Sequence, residues 1–376
     1  MQKSIAIIEN NIISSLTVRK KLTTVLKDHG YKVTVLTTGT PQQLQKAAEL
    51  GMEVIDITSS NQHPIEVLRY MFKLRKALKQ CKADICLTFT IRPAIWGNFV
   101  TRMLGIPTIT NITGVGPLFA SQSITYRLAR MLYRRSLKRT RKIFFQNRDD
   151  QSLFVKHKFT TLRGSSLIPG SGVDHELFSP RECTAPSEKF VFLYIGRLLK
   201  DKGICEYVDA ARIIRKKYPN TIFQVVGPLW QQNLKENTIT GDQVDGWVQE
   251  GTIVYKGELS DVRDAIAGCH SLVLPSYREG TSNVLLEASS MERPCITCDT
   301  PGCKEIVSHE VTGYLCNVAD ANDLAAKMEK MISLSDNERI AMGQAARQKV
   351  IKEYDKNLVI GIYLRAIDRY LHYIPD

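Results

Sequence analysis

Short apolar runs alternating with helical periodicity constrain this chain more than any other feature of its sequence. Ser4 to Ile8, Lys32 to Leu36, Glu53 to Ile57, Asp84 to Thr88, Pro107 to Thr110 and Lys142 to Phe145 read as strands. Between them Val18, Leu22 and Leu26 fall at helical spacing. So do apolar positions 67, 68, 71, 72, 74 and 78 within Glu66 to Lys79, and Ala94 to Leu104 reads as a further helix. Such alternation predicts a parallel sheet covered on both faces. Around 160–190 the regularity fades among Gly164, Pro169, Gly170, Gly172, Pro180 and Pro186, which marks a linker. The alternation then restarts: strand Phe190 to Tyr194, helix Ile204 to Lys217, strands Ile222 to Val226 and Ile253 to Tyr255, a helix from Asp261, strand Ser271 to Leu274, a helix from Asn283 and strand Pro294 to Cys298. At 376 residues the chain is too long for one ordinary core. The expectation is therefore two α/β halves facing a cleft, with ligands at the carboxyl ends of the strands.

Composition removes several classes. With 43% hydrophobic and 24% charged residues the chain is neither disordered nor fibrous. No run approaches the ~18 apolar residues of a membrane span. The apolar run after Met1-Gln2-Lys3 is too short for a signal-peptide core, which predicts a cytoplasmic location. The charge is uneven: residues 1–182 hold 28 Lys+Arg and 12 Asp+Glu, a net +16, whereas residues 183–376 hold 23 and 26, a net −3. The first half is thus expected to meet something anionic: nucleic acid, a phosphorylated substrate or a membrane surface. The cysteines number nine. Cys295-x-x-Cys298 has no second Cys or His pair at a zinc spacing, so these residues are read as a buried strand and no metal site is expected.

Two motifs carry chemistry. Gly196-Arg197-Leu-Leu-Lys-Asp-Lys202-Gly203 follows a strand, where backbone amides and two cations suit a pyrophosphate. Taken alone it is also what a solvated basic turn looks like. Pro275-Ser-Tyr-Arg-Glu279-Gly280-Thr281-Ser282-Asn283-Val284-Leu-Leu-Glu287 follows another strand. Gly280 permits close backbone approach, Thr281, Ser282 and Asn283 are natural helix caps, and glutamates accept hydrogen bonds from sugar or ribose hydroxyls.

Together these motifs resemble the retaining glycosyltransferases of family 4, which have the GT-B fold of two Rossmann-like, doubly wound parallel-sheet domains. The likeness rests on G-R-x4-K-G, on E-x7-E at Glu279 and Glu287, on Thr300-Pro-Gly-Cys-Lys-Glu305, on Thr312-Gly313-Tyr314 and on the linker Ile168-Pro-Gly-Ser-Gly-Val-Asp174. It implies domains at 1–170 and 171–356, with 357–376 as a helix crossing back to the first. It implies that Gly196, Arg197 and Lys202 meet the donor diphosphate, Arg197 and Lys202 neutralising it. Glu279 would face the transferred sugar, the amides of Gly280, Thr281, Ser282, Asn283 and Val284 would bind sugar or phosphate, and Glu287 would hold the ribose. Uridine would lie near Gly257. Arg197, Lys202 and Glu279 are the expected catalytic residues. No metal or cofactor is required beyond a UDP-sugar as co-substrate.

Within that family the first half resembles bacterial transferases acting on polyprenyl-diphosphate-linked sugars. Thr88-Phe-Thr-Ile-Arg92-Pro93 and Asn111-Ile-Thr-Gly114-Val-Gly116-Pro117 resemble their acceptor loops, so Arg92, Asn111, Gly114 and Gly116 become acceptor-side candidates. Arg19 joins them as a residue that either reaches a phosphate or is a solvated first-turn cation. No histidine stands at the matched loops, so no acceptor-side general base is named. In residues 121–142, Ile124, Leu128, Met131 and Leu132 form one helical stripe and Arg127, Arg130, Arg134, Lys138 and Arg141 another. Such a helix suits an anionic membrane surface, or else turns its apolar stripe to the core.

The resulting expectation is a peripheral enzyme on the inner face of the cell membrane. It would move a hexose or N-acetylhexosamine from a UDP-sugar to a lipid-linked saccharide, for O-antigen, capsule or glycoprotein synthesis. Its rivals are a transferase with a soluble acceptor or another nucleotide donor, a nucleic-acid-binding protein, and a catalytically silent scaffold. No helix-turn-helix, zinc finger or aromatic RNA-binding signature supports nucleic acid as a partner.

Overall fold

The computed structural model describes residues 2–58, 64–115, 118–119, 124–186, 188–230 and 237–371. The chain forms two compact units, Met1–Ser171 with Lys356–Asp376, and Gly172–Asp355. The first contains β1 (Ser4–Ile8), α1 (Ile13–Leu16), α2 (Lys20–Asp28), β2 (Lys32–Thr37), α3 (Pro41–Glu49), β3 (Glu53–Asp56), α4 (Pro64–Gln80), β4 (Ile85–Phe89), α5 (Asn98–Met103), β5 (Thr108–Ile112), α6 (Ile124–Leu137), β6 (Lys142–Phe145), α7 (Arg148–Lys156) and β7 (Ser165–Leu167). The second contains β8 (Phe190–Ile195), α8 (Ile204–Lys217), β9 (Thr221–Val226), α9 (Gly241–Gln249), β10 (Val254–Tyr255), α10 (Arg263–Ala267), β11 (Ser271–Leu274), α11 (Asn283–Ser290), β12 (Cys295–Cys298), β13 (Gly313–Cys316), α12 (Ala321–Ser333) and α13 (Asp336–Tyr354). The last helix, α14 (Lys356–Leu371), rejoins the first unit.

Among the described residues the strands form two all-parallel sheets, one of seven strands ordered β3-β2-β1-β4-β5-β6-β7 and one of six ordered β10-β9-β8-β11-β12-β13. This is the doubly wound architecture expected of strands buried on both faces. Every residue of β1, β4, β5, β11 and β12 is buried. In the first unit α2 and α14 cover one face, with Leu22, Leu26, Val359, Ile360 and Ile367 packed against Ile5, Ile7 and Val33. Tyr70 and Leu74 of α4 pack on Ala6 and Ile8, the alternate positions of β1, so α4 lies on the opposite face. Cys295 and Cys298 lie in the core of the second unit, as the apolar run around them predicts.

Three local features differ from the sequence expectation. The stretch read as linker contains β7, whose Ser165, Ser166 and Leu167 pair with Ile143, Phe144 and Phe145 of β6. Three residues, two of them serine, carry too little apolar signal to announce a strand, and β6 supplies the template. The helix expected from Ala94 begins instead with a single π-type turn, Pro93–Gly97, before α5. Helices α3, α7, α9, α12 and α13 and strand β13 were not singled out by periodicity.

Candidate active site

In the second sheet β8 and β11 are neighbours, pairing Phe192 with Ser271 and Leu193 with Leu272. Chain order reverses between them, so the chain crosses over in opposite directions after the two strands, and the carboxyl ends at such a switch point are where doubly wound sheets bind ligands. The two motifs singled out in the sequence occupy these two loops.

The first loop passes Gly196 and Arg197 and enters a 3₁₀ turn, Lys200–Lys202, that ends on Gly203 in the left-handed region, φ 74°. A Cβ there would stand 2.1 Å from the carbonyl oxygen of Pro275, so glycine is what lets the two loops touch. The touch is made by hydrogen bonds. The Tyr277 N–H donates to the Asp201 carbonyl at 2.9 Å, and the Ser276 hydroxyl donates to the same oxygen at 3.4 Å. Lys202 is thereby aimed at the second loop. Its Nζ lies 2.6 Å from Oε1 of Glu279, with 14% and 19% of the two side chains exposed. Arg197 is exposed, its guanidinium carbon 4.9 Å from the ring centre of Trp230.

The second loop is held from behind by the segment after β12. The Glu279 N–H donates to the Pro301 carbonyl and the Ser282 N–H to the Gly302 carbonyl, both at 3.0 Å. Gly302 has φ 81°, and a Cβ on it would meet the Glu279 carbonyl oxygen at 2.4 Å. The Gly302 N–H donates to Glu305 at 2.8 Å. Gly280 is buried and Thr281 half-buried. Ser282 caps α11, its hydroxyl accepting from the Leu285 N–H at 3.5 Å. Asn283 and Val284 form the first turn, and Glu287, half-buried, stands one turn further along. Burial pushes the Cys303 thiol up to about 12, and the charge of Glu279 adds to the effect. That cysteine is therefore a packing residue and not a nucleophile.

The acceptor-side candidates lie at the carboxyl edge of the first sheet. Arg19 is buried, with its guanidinium 3.0 Å from Glu9 and stacked 4.1 Å from the centre of the Phe89 ring. It is thus neither a solvated cation nor, in this arrangement, extended toward a phosphate. Arg92 lies half-buried after β4, its guanidinium 4.1 Å over the ring of Tyr70, and burial lowers its pKa. Asn111 is buried on β5 and donates from Nδ2 to the Tyr363 hydroxyl of α14. Gly114 has φ 143°. Gly116 lies outside the described residues, as do Ser121, Gln122 and Ser123 before the basic helix.

Sequence reasoning missed four participants. Trp230 faces Arg197, and the turn signal Gly227-Pro228 after β9 marks its position. The Tyr277 hydroxyl donates to Glu206 at 2.6 Å, and burial followed by that bond raises the pKa of the phenol. Gly302 and Glu305, noted only within a family loop, form the support beneath Glu279. A cavity of about 860 Å³ lies elsewhere, at the amino-terminal ends of β6 and β7, and none of the candidate residues lines it.

Arg197 and Lys202 can neutralise an anionic group, while Glu279 and Glu287 can accept hydrogen bonds from hydroxyls. A small molecule carrying both diphosphate and hydroxyls satisfies the two sets together.

Residues 189–334 match the family described as glycosyl transferases group 1, and residues 12–147 match that described as glycosyl transferase 4-like. The chain is 25% identical over 371 residues to N,N'-diacetylbacillosaminyl-diphospho-undecaprenol alpha-1,3-N-acetylgalactosaminyltransferase of Campylobacter jejuni, covering 93% of this chain and 94% of that one. It is 25% identical over 308 residues to the UDP-Gal:alpha-D-GlcNAc-diphosphoundecaprenol alpha-1,3-galactosyltransferase of Escherichia coli, covering 77% and 76%. Anabaena HepE, solved in complex with UDP and glucose, superposes at a TM-score of 0.79 with 17% identity, over 98% of this chain and 100% of that one. This last likeness speaks for the fold, which is GT-B.

Proposed function

This chain belongs to the glycosyl transferases of group 1, with a family 4-like first half, and from that premise we propose that it moves a hexose or N-acetylhexosamine from a UDP-sugar to a polyprenyl-diphosphate-linked saccharide with retention of configuration. The product would enter surface-glycan assembly. The relatives from Campylobacter jejuni and Escherichia coli carry undecaprenol-linked acceptors in their names, and the second also carries a UDP-sugar donor.

The observation that carries the reading is the Lys202–Glu279 pair at the β8–β11 switch point. A donor diphosphate would draw Lys202 to itself and leave Glu279 to accept the sugar hydroxyls. Arg197 and Lys202 would stabilise the charge that grows on the leaving UDP, a task for which fixed protein cations suffice without a metal ion. The bond from the sugar C1 to the diphosphate oxygen breaks. The acceptor hydroxyl oxygen bonds to C1 on the same face, and its proton passes to the departing phosphate oxygen. The enzyme would work at the inner face of the cell membrane; no helix among the described residues is long and apolar enough to cross it.

The test is UDP release across a panel of UDP-sugars, with and without polyprenyl-diphosphate saccharide and with chelator present. Release needing one donor and the lipid acceptor is expected. Lys202→Ala and Glu279→Ala should each lower kcat by roughly 10²–10³-fold. Release only with a soluble acceptor or another nucleotide would replace the substrate assignment, and no release with any donor would overturn the reading.

A further inference from the structure

Two helices of the first unit are apolar on both sides. Helix α4 buries Tyr70, Leu74, Ala77 and Leu78 in the core. Its outward side also carries an apolar line, Ile65, Leu68 and Phe72, at the i, i+3, i+7 spacing of one helical stripe. Helix α6 repeats the arrangement, with Tyr133 and Leu137 buried and Ile124, Leu128 and Met131 outward at i, i+4, i+7. Exposure of these six side chains runs from 48% at Met131 to 83% at Ile124. A helix needs one apolar stripe to pack, so the second has no role in the core. The π-type turn Pro93–Gly97 packs against both helices, so the two helices belong to one layer.

The cations on these helices have a matching order. Helix α4 has five basic residues and one acidic, and α6 has four basic and none acidic. The apolar residues of the outward lines begin in the amino-terminal halves, each line with one exposed arginine inside it, Arg69 on α4 and Arg127 on α6, while Arg75, Lys76 and Lys79 follow on α4 and Arg134 and Arg135 on α6, all exposed. In a parallel crossover each helix starts where a strand ends. The apolar halves therefore lie at the carboxyl edge of the sheet, the edge that carries Arg92 and Gly114.

We infer that the outward faces of α4 and α6 together dock on an anionic bilayer, with the amino-terminal halves entering the acyl boundary and the carboxyl-terminal cations on the lipid phosphates. A line of apolar side chains continued by long cations is the pattern of an interfacial surface. The net charge of +16 on residues 1–182 selects an anionic partner. It also argues against a second copy of this chain, because two such faces would oppose like charges. The inference deepens the lipid-linked acceptor reading: this orientation turns the acceptor edge of the sheet toward the membrane, where a lipid-borne diphosphate is delivered. It rests on that reading for its purpose, not for its geometry.

Cosedimentation of the whole protein with vesicles of phosphatidylcholine containing about one-third phosphatidylglycerol tests it. The wild type should bind these vesicles and release from them at high salt. Leu68→Ser/Phe72→Ser and Ile124→Ser/Leu128→Ser should each weaken binding at least about tenfold. Met103→Ser, equally exposed but at the far end of α5, should not. Phe72→Trp keeps the apolar surface, and its added emission should shift to the blue and be quenched by brominated acyl chains. Unchanged binding by the α4 variant, or an unmoved Phe72→Trp emission, would overturn the docking. Equal loss with Met103→Ser would overturn the orientation. A sedimentation dimer dissolved by the α4 variant would identify a second copy as the occupant instead. The vesicles hold neither donor nor acceptor, so binding without glycosyl transfer would remove the proposed function and leave the docking surface standing.

Discussion

Arg19 carries its charge into a place where 7% of its side chain meets water. Glu9, at the end of β1, receives it, and also accepts the Ser15 N–H at 3.2 Å. Burial pushes the Glu9 carboxyl above its ordinary range, while Arg19 and Ser15 pull it back. Removing one member of such a pair strands the other, at a cost of about 3–5 kcal/mol. Arg19→Met should therefore lower the urea unfolding free energy by roughly that amount, and adding Glu9→Gln should restore part of it. If Arg19 served the acceptor instead, the single variant would keep its urea midpoint and show a raised KM for the lipid substrate. The sequence could not decide this. Whether an arginine in a loop after a strand meets solvent, substrate or a buried carboxylate depends on Phe89, seventy residues away, and on how the loop returns over β1. The places of Lys202 and Glu279 in the fold were easier to read, because each stands beside a glycine turn after a strongly apolar strand.

At the level of the elements, most strands were legible, and two of the four edge strands were not. β1, β2, β6, β8 and β11 fall on the apolar runs because each is buried nearly throughout. β7 and β13 sit at sheet edges, with one neighbour each, and their short sequences leave their place to that neighbour. Helix α3 was signalled only by its cap, Thr40-Pro41 with Gln43 returning to the Thr40 N–H. The seam between β8 and β11 shows a device that no pattern announces. The His270 N–H donates to the Val191 carbonyl at 2.9 Å, and its ring Nδ1 accepts the Val191 N–H at 3.0 Å. The ring stacks on Phe190 at 4.7 Å. Burial first, and the charge of Arg339 second, hold the imidazole below its ordinary 6.5. The unfolded chain then takes up a proton near 6.5 that the folded chain refuses. The contribution to stability is full above that pH and is lost as pH falls through the folded value. Urea midpoints measured between about pH 7.5 and 5.5 should fall more steeply for the wild type than for His270→Gln, whose amide oxygen can still accept the Val191 N–H. Parallel pH profiles would rule the device out.

For the whole molecule, the question is what the two connections between the units permit. One leaves the first unit after Ser171 and the other returns at Lys356. On the side of the second unit they are tied to each other: the Val173 N–H donates to the Tyr354 carbonyl at 2.8 Å, and His175 lies 2.5 Å from Asp355. On the side of the first unit the Lys356 ammonium donates to the Val18 carbonyl at 2.8 Å. Between these ties stand Gly170 and Gly172, both in the left-handed region. Two such connections are expected to act as a hinge. The proposed chemistry gives closure a purpose, because water competes with the acceptor hydroxyl for C1 and an open site does not exclude it. Small-angle scattering should therefore show a smaller radius of gyration with UDP than without. Gly172→Val, which strains the hinge without touching either motif, should change kcat and KM together. Calorimetric binding of UDP with an unchanged radius would mean that donor alone does not close the units, and the same null result with donor and acceptor analogue together would remove the hinge from the mechanism.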